Sequence, residues 1–183
     1  MLILALSAAA TLTGALGIYL TKSITLRMPV WQAIAPLFAI NALLVVPLIP
    51  LDWRVLGLHL LSIALLCGST ACIFGLITRG RPSAVAVGQA LSPASVLIAA
   101  PLILGTKLSP AVVAGVILLM SGALYPLRSS FEGLRSASTI GILIAMGATV
   151  GLLTVATAGL ANLGVGLPET YIVRTAGACL IYF

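Results

Sequence analysis

The acid–base inventory of this sequence is four side chains: Asp52, Glu132, Glu169 and His59. General acid–base chemistry needs such groups within reach of one substrate, and a metal centre needs several ligands at set spacings. Here the four are dispersed over connectors and the ends of apolar runs. The three cysteines, Cys67, Cys72 and Cys179, lie inside apolar segments with no CxxC pair and no neighbouring histidine cluster. They read as small core residues. No carboxylate pair, activated nucleophile, metal cluster or glycine-rich phosphate loop can be assembled. The expectation is therefore a protein that is not an enzyme, with no catalytic residue, metal or cofactor. His59, near the head of an apolar run, reads first as an interfacial side chain, with proton handling as the alternative.

Polar residues inside apolar runs are the other source of chemistry. The segment GQALSPASVLIAAPLILGTKLSP, Gly88 to Pro110, mixes a glutamine, three serines and three prolines into a stretch apolar enough for a bilayer. An amide facing lipid would be unpaired, so Gln89 should face the bundle or a wet cavity, as structural glue or as a solute contact. Ala84, Gly88, Ser92 and Ser95 recur at helical spacing and make one face small enough for a close neighbour. Pro93 and Pro101 each remove a backbone donor, and a helix broken near the midplane can bind a solute or hinge. A static kink that suits packing explains the prolines equally well. Arg174 is the one charge well inside an apolar run. A central arginine costs roughly 2.5 to 3.5 kcal/mol on insertion scales, so it needs a partner in the protein or in a wet cavity. A polar group of a neighbouring span is favoured over a substrate carboxylate. Gln32 and Asn41, with Ser69 and Thr70, are weaker candidates for a polar pathway.

The elements that must position these groups follow from composition. Of 183 residues, 61% are hydrophobic and 7% charged, a balance that belongs in a membrane. The formal charge of +6 is scattered between apolar runs rather than clustered on a face, which argues against nucleic acid. Charged residues divide the chain into uncharged intervals. Six of these are long enough to cross about 30 Å of hydrocarbon as helices, centred on Leu2–Leu20, Val30–Pro50, Val55–Ile77, Ser83–Leu104, Ser109–Leu127 and Thr139–Leu160. A seventh, Pro168–Phe183, has 16 residues and reads as a span cut short. The fold expected is all-α, a polytopic transmembrane bundle of about seven spans.

The connectors are short and carry start and stop signals, such as Arg79-Gly80-Arg81-Pro82 and the serine-rich entry Ser136 to Thr139. Six Lys and Arg follow spans one, three and five, against two after spans two and four, which places the N-terminus outside by the positive-inside rule. GxxxG at Gly147 and Gly151, Gly14 with Gly17, and Gly115 with Gly122 mark faces for helix packing. A weak repeat at an offset of 139 residues pairs Met28-Pro29 with Leu167-Pro168 and Ile3-Leu4 with Ile142-Leu143. A five-span unit has an odd number of crossings, so its second copy enters the membrane inverted.

The stretch GLITRGRPSAVAVGQALSPASVLIAAPLILGTKLSPAVVAGVILLMSGAL resembles the EamA-like, ten-helix type of the drug/metabolite transporter superfamily. Pro93 falls on that family's mid-helix proline in an Ala-rich fourth helix. Gly105, Leu108 and Ser109 fall on its Gly-x-x-Leu-Ser connector, and Gly115 and Gly122 on its Gly-rich fifth helix. Arg174, six residues after Pro168, matches the arginine of the second helix in the second repeat. The chain departs from the pattern at Ala35, where the first repeat would have that arginine, and at Thr106, where the connector usually has glutamate.

The resemblance implies a first five-helix repeat over residues 1–127, a linker over 128–138 and an incomplete second repeat over 139–183. It also implies an N-terminus in the cytoplasm, opposite to the loop count. It further implies a multi-pass protein of the plasma (inner) membrane that moves a small organic solute by alternating access. Spans one, three, four and six would line the pathway. The pathway residues expected are Gln89, Ser92, Pro93, Arg174 and Gln32. The partners are the lipid bilayer, the small-molecule solute and, where copies associate, a homo-oligomer, with no nucleic acid. The alternative is a non-transporting membrane fragment or structural packing subunit.

Overall fold

The computed structural model describes residues 52–79, 83–125 and 136–182, together with Ser23, 27–29, Gln32, Pro36 and Ala39. Within them every regular element is helical. A 3-10 turn, Trp53–Val55, leads into α1 (Leu56–Arg79), followed by α2 (Ser83–Ala90), α3 (Ser92–Leu104), α4 (Pro110–Leu124), α5 (Ala137–Asn162) and α6 (Leu167–Tyr182). The all-α expectation holds for these residues. Expected spans one and two, Leu2–Leu20 and Val30–Pro50, fall outside the described residues except at Gln32, Pro36 and Ala39.

Among the described residues, three helical stretches are long and apolar enough to cross a membrane: Leu56–Thr78, Ala84–Leu104 and Ala137–Asn162, of 23, 21 and 26 residues. At about 1.5 Å per residue they reach about 31 to 39 Å, against about 30 Å of hydrocarbon. The described residues thus hold five helical units, counting α2 and α3 as one, of which three have bilayer length. One expected span comes out shorter, α4 against Ser109–Leu127, while α6 keeps the 16 residues expected of Pro168–Phe183. α4 has 15 residues and α6 has 16, or about 22 and 24 Å.

The helix ends follow the local chemistry. Ser109, in extended conformation, accepts the Val112 N–H on its hydroxyl at 3.3 Å, and Pro110 occupies the first turn of α4, where no donor is required. Ser136 does the same for α5, accepting the Thr139 N–H at 3.2 Å, so this helix starts two residues before the expected Thr139. At the other end of α3, Gly105 takes φ of 65° and donates its N–H to the Pro101 carbonyl at 3.1 Å.

The expected fourth span is broken at Leu91. The Leu91 N–H donates to the Gly88 carbonyl at 3.2 Å and the Ala94 N–H to the Leu91 carbonyl at 3.2 Å, bonds of the tighter three-residue kind. Pro93 is the cause in sequence, since it has no N–H to give the Gln89 carbonyl four residues earlier. Pro101 is different, because α3 runs through it from Ser92 to Leu104.

The helix α5 is the hub. It lies against α1, α2 and α3, while α6 packs mainly on α1 and α4 touches only the α2–α3 unit closely. Leu76, Ile77, Val85, Val87, Leu143 and Met146 form the core where α1, α2 and α5 meet, and Val55, Leu160 and Val165 form a smaller one at the opposite end of α1. Outward-facing positions are as apolar as the core: Leu102, Leu118 and Leu180 are each at least 75% exposed. Hydrocarbon chains suit such a surface and water does not.

Candidate functional site

Three polar features interrupt the apolar bundle. The first is the break between α2 and α3, which holds Gln89, Ser92 and Pro93. One face of the break is closed by α5. A Cβ built on Gly147 would stand 2.7 Å from Leu91 Cβ, and one on Gly151 would stand 2.5 Å from Ser95 Cβ and 2.7 Å from the Ser92 carbonyl oxygen. On the partner helix, a Cβ on Gly88 would meet Met146 Sδ at 2.7 Å. Real side chains do not approach so closely, so backbone meets backbone here because both helices present glycine. Gln89, next to Gly88 and about 100° around the helix, lies off this contact and is exposed. Ser92 and Pro93 are half-buried.

The second feature is Arg174, half-buried near the middle of α6. Its guanidinium donates to the Thr157 hydroxyl of α5 at 3.3 Å, and Thr157 in turn donates to the Leu153 carbonyl at 2.8 Å. The relay is chemically consistent: arginine offers only donors, and the hydroxyl accepts one bond while giving another. No carboxylate pairs with Arg174 among the described residues. Gln32 is exposed, its backbone N–H donating to the Pro29 carbonyl at 3.0 Å, and no described contact joins it or Arg174 to the break.

The third feature gathers groups that sequence reasoning left apart. His59, in the first turn of α1, is fully buried, and neither ring nitrogen has a hydrogen-bond partner. Its Nε2 stands 3.7 Å from Oε1 of Glu169, in the first turn of α6. That oxygen accepts the Asp52 N–H at 3.2 Å, while Asp52 Oδ1 accepts the Arg54 N–H at 3.0 Å. A buried polar group without a partner costs roughly 1 to 3 kcal/mol. The signal that could have located this cluster was parity. α1 and α6 are separated by three helical units, so they run in the same direction and their first turns share one end.

The described residues also enclose a small cleft of about 60 Å³ between α1, α3 and α5, lined by Leu58, Leu61, Leu65, Ile103, Leu152 and Gly159 among others. All its walls are apolar, and none of Gln89, Ser92, Pro93, Arg174 and Gln32 contributes to it. Among the described residues no group of three His, Cys, Asp or Glu could hold a metal ion, and Cys67, Cys72 and Cys179 are unpaired thiols.

Comparison of the chain with protein-family models, with curated proteins and with solved structures finds no match.

Proposed function

We propose that this chain is a polytopic secondary transporter that moves a small organic solute across the plasma membrane by alternating access. The observation that carries this reading is the exposed Gln89 beside the break in a helix of bilayer length. A primary amide facing hydrocarbon loses its hydrogen bonds to water, a penalty of several kcal/mol, so the surface in front of Gln89 is wet. A wet surface beside a broken helix is what a transport pathway requires. Ser92 and Pro93 border it, and Gln32 and Arg174 are assigned to the same pathway on the strength of the sequence, without a described contact to the break. The resemblance to the EamA-like drug/metabolite transporters supports the finer arrangement. That arrangement is seven spans with the first five as one repeat (1–127), a linker (128–138) and an inverted second repeat from residue 139. No cofactor enters this mechanism.

The test is uptake by the full chain in proteoliposomes, with neutral amino acids, a nucleoside and a fluorescent organic cation as probes. Uptake of one probe class above protein-free vesicles, reduced by Gln89→Leu at equal expression, supports a solute pathway. Uptake unaffected by Gln89→Leu makes Gln89 part of the packing. A second reading, a structural packing subunit, is favoured by α4, none of whose residues is buried. Absence of uptake for every probe, together with co-purification of another membrane protein dependent on the α4 face, supports it.

A further inference from the structure

We propose that His59 and Glu169 form a proton-binding pair whose closure fixes the start of α6 on the start of α1. Its use as the coupling site of a transport cycle rests on the transporter reading above, whereas the binding of a proton there does not.

The geometry is that of a pair held slightly open. The His59 ring is fully buried, with both nitrogens unpartnered, so in neutral form its one donor and one acceptor gain nothing from the protein. Glu169 Oε1 is at 3.7 Å, beyond hydrogen-bond reach, and the Asp52 N–H already holds that oxygen toward α1. A charge-assisted N–H···O bond is 2.7 to 2.9 Å long, so closure is a movement of about 1 Å. Closure brings the first turn of α6 toward α1. It follows a short connector in which Gly164 has φ of 84°, and no charged residue in the connector or in α5 opposes the approach.

The other charges near His59 set the direction of the effect. On its own segment stand Asp52 and Arg54, both exposed, and on α6 stand Glu169 and, beyond it, Arg174, bonded to Thr157. α2 and α5 contribute no ionisable residue on the faces packed against α1. The positive end of α1 disfavours a cation at His59, and the positive end of α6 favours an anion at Glu169. An isolated imidazolium is therefore unfavourable, and one closed on Glu169 is balanced. The closed contact needs the imidazolium, whose Nε2–H gives Glu169 Oε1 a charge-assisted donor, and a neutral ring leaves it open.

His59 is the only histidine in the chain, so its ring can be observed without ambiguity. The full chain, labelled with ¹⁵N in the histidine ring and placed in lipid nanodiscs, is titrated by NMR from pH 8 to pH 5. We expect one transition from neutral imidazole to imidazolium, accompanied by a several-fold gain in hydrogen-exchange protection for the Tyr171–Arg174 amides after correction for intrinsic rates. In Glu169→Gln the transition moves to lower pH and the gain in protection disappears. Glu169→Asp, which keeps the charge with a shorter reach, gives an intermediate result and serves where the Gln variant does not fold. A ring that stays neutral throughout, or variants that titrate as the parent does, would overturn the proposal. A chain that titrates as expected but moves no solute keeps the proton pair and refutes the transporter reading alone.

Discussion

The glycines of α5 and those of α4 look alike in sequence and differ in the structure. Gly147 and Gly151 lie against Leu91, Ser92 and Ser95 so closely that a methyl group on either would overlap the facing helix. Gly115 and Gly122 are also spaced for one helix face, yet nothing among the described residues comes within 4 Å of a Cβ built on either. The difference is in what arrives opposite. The break at Leu91 offers α5 a partner with its own small residues, Gly88, Ser92 and Ser95, whereas the flanks of α4 carry Ile117, Leu118 and Leu119, each at least 59% exposed. A stripe of small residues permits close approach, and only a complementary stripe on a neighbour makes it happen.

The most severe way to break this comparison is Gly151→Leu. No rotamer fits against the Ser92 carbonyl and the Ser95 side chain, so the seam between α3 and α5 must open. A loss of about 3 kcal/mol or more is expected, seen as collapse of the monodisperse peak in detergent chromatography. Gly88→Ala is milder, about 1 kcal/mol, because the facing atom is the Met146 thioether, which can move aside. In α4 the sign should reverse. Gly115→Ala should stabilise by about 0.5 to 1 kcal/mol through helix propensity, measured as a higher unfolding midpoint in a graded denaturant series. Destabilisation there would mean that α4 has a close neighbour and that the contrast is false. Arg174→Lys should cost about 0.6 kcal/mol, toward the lower end of that range, for the weakened bond to Thr157. Loss of uptake restricted to anionic solutes in that variant would instead make Arg174 a substrate contact.

What the sequence could reveal depended on range. The helix entries at Ser109 and Ser136 and the break before Pro93 were legible because each is set by residues within one or two turns, whereas Gly105 was read only as part of a connector and its αL stop comes from the structure. The small face of span four and the GxxxG of span six were also legible, but not that they face each other, since helix pairing is a tertiary choice. Span five came out shorter, as the 15 residues of α4, because a run of uncharged residues includes the connector that caps the helix. The end cluster was missed because it, too, depends on which helices pair. Asp52 and Glu169 are 117 residues apart, and each alone is an unremarkable connector acid. Their convergence with His59 needs α6 to lie along α1, which the buried Thr170 and Thr175, and Gly177 against Ile63, secure only once the two helices meet.

A transport pathway at the break requires the surface before Gln89 to be wet while other exposed positions, on α3, face lipid. In the full chain with Cys67, Cys72 and Cys179 replaced by serine, single cysteines at Gln89 and at Ile98 can be challenged in proteoliposomes with a membrane-impermeant maleimide. Ile98 is 68% exposed, and hydrocarbon would shield a thiol there, because maleimides react with the hydrated thiolate. A Gln89→Cys protein labelled at least tenfold faster than Ile98→Cys is the result predicted. Equal, slow labelling at both positions would contradict a water-filled pathway at the break in the helix.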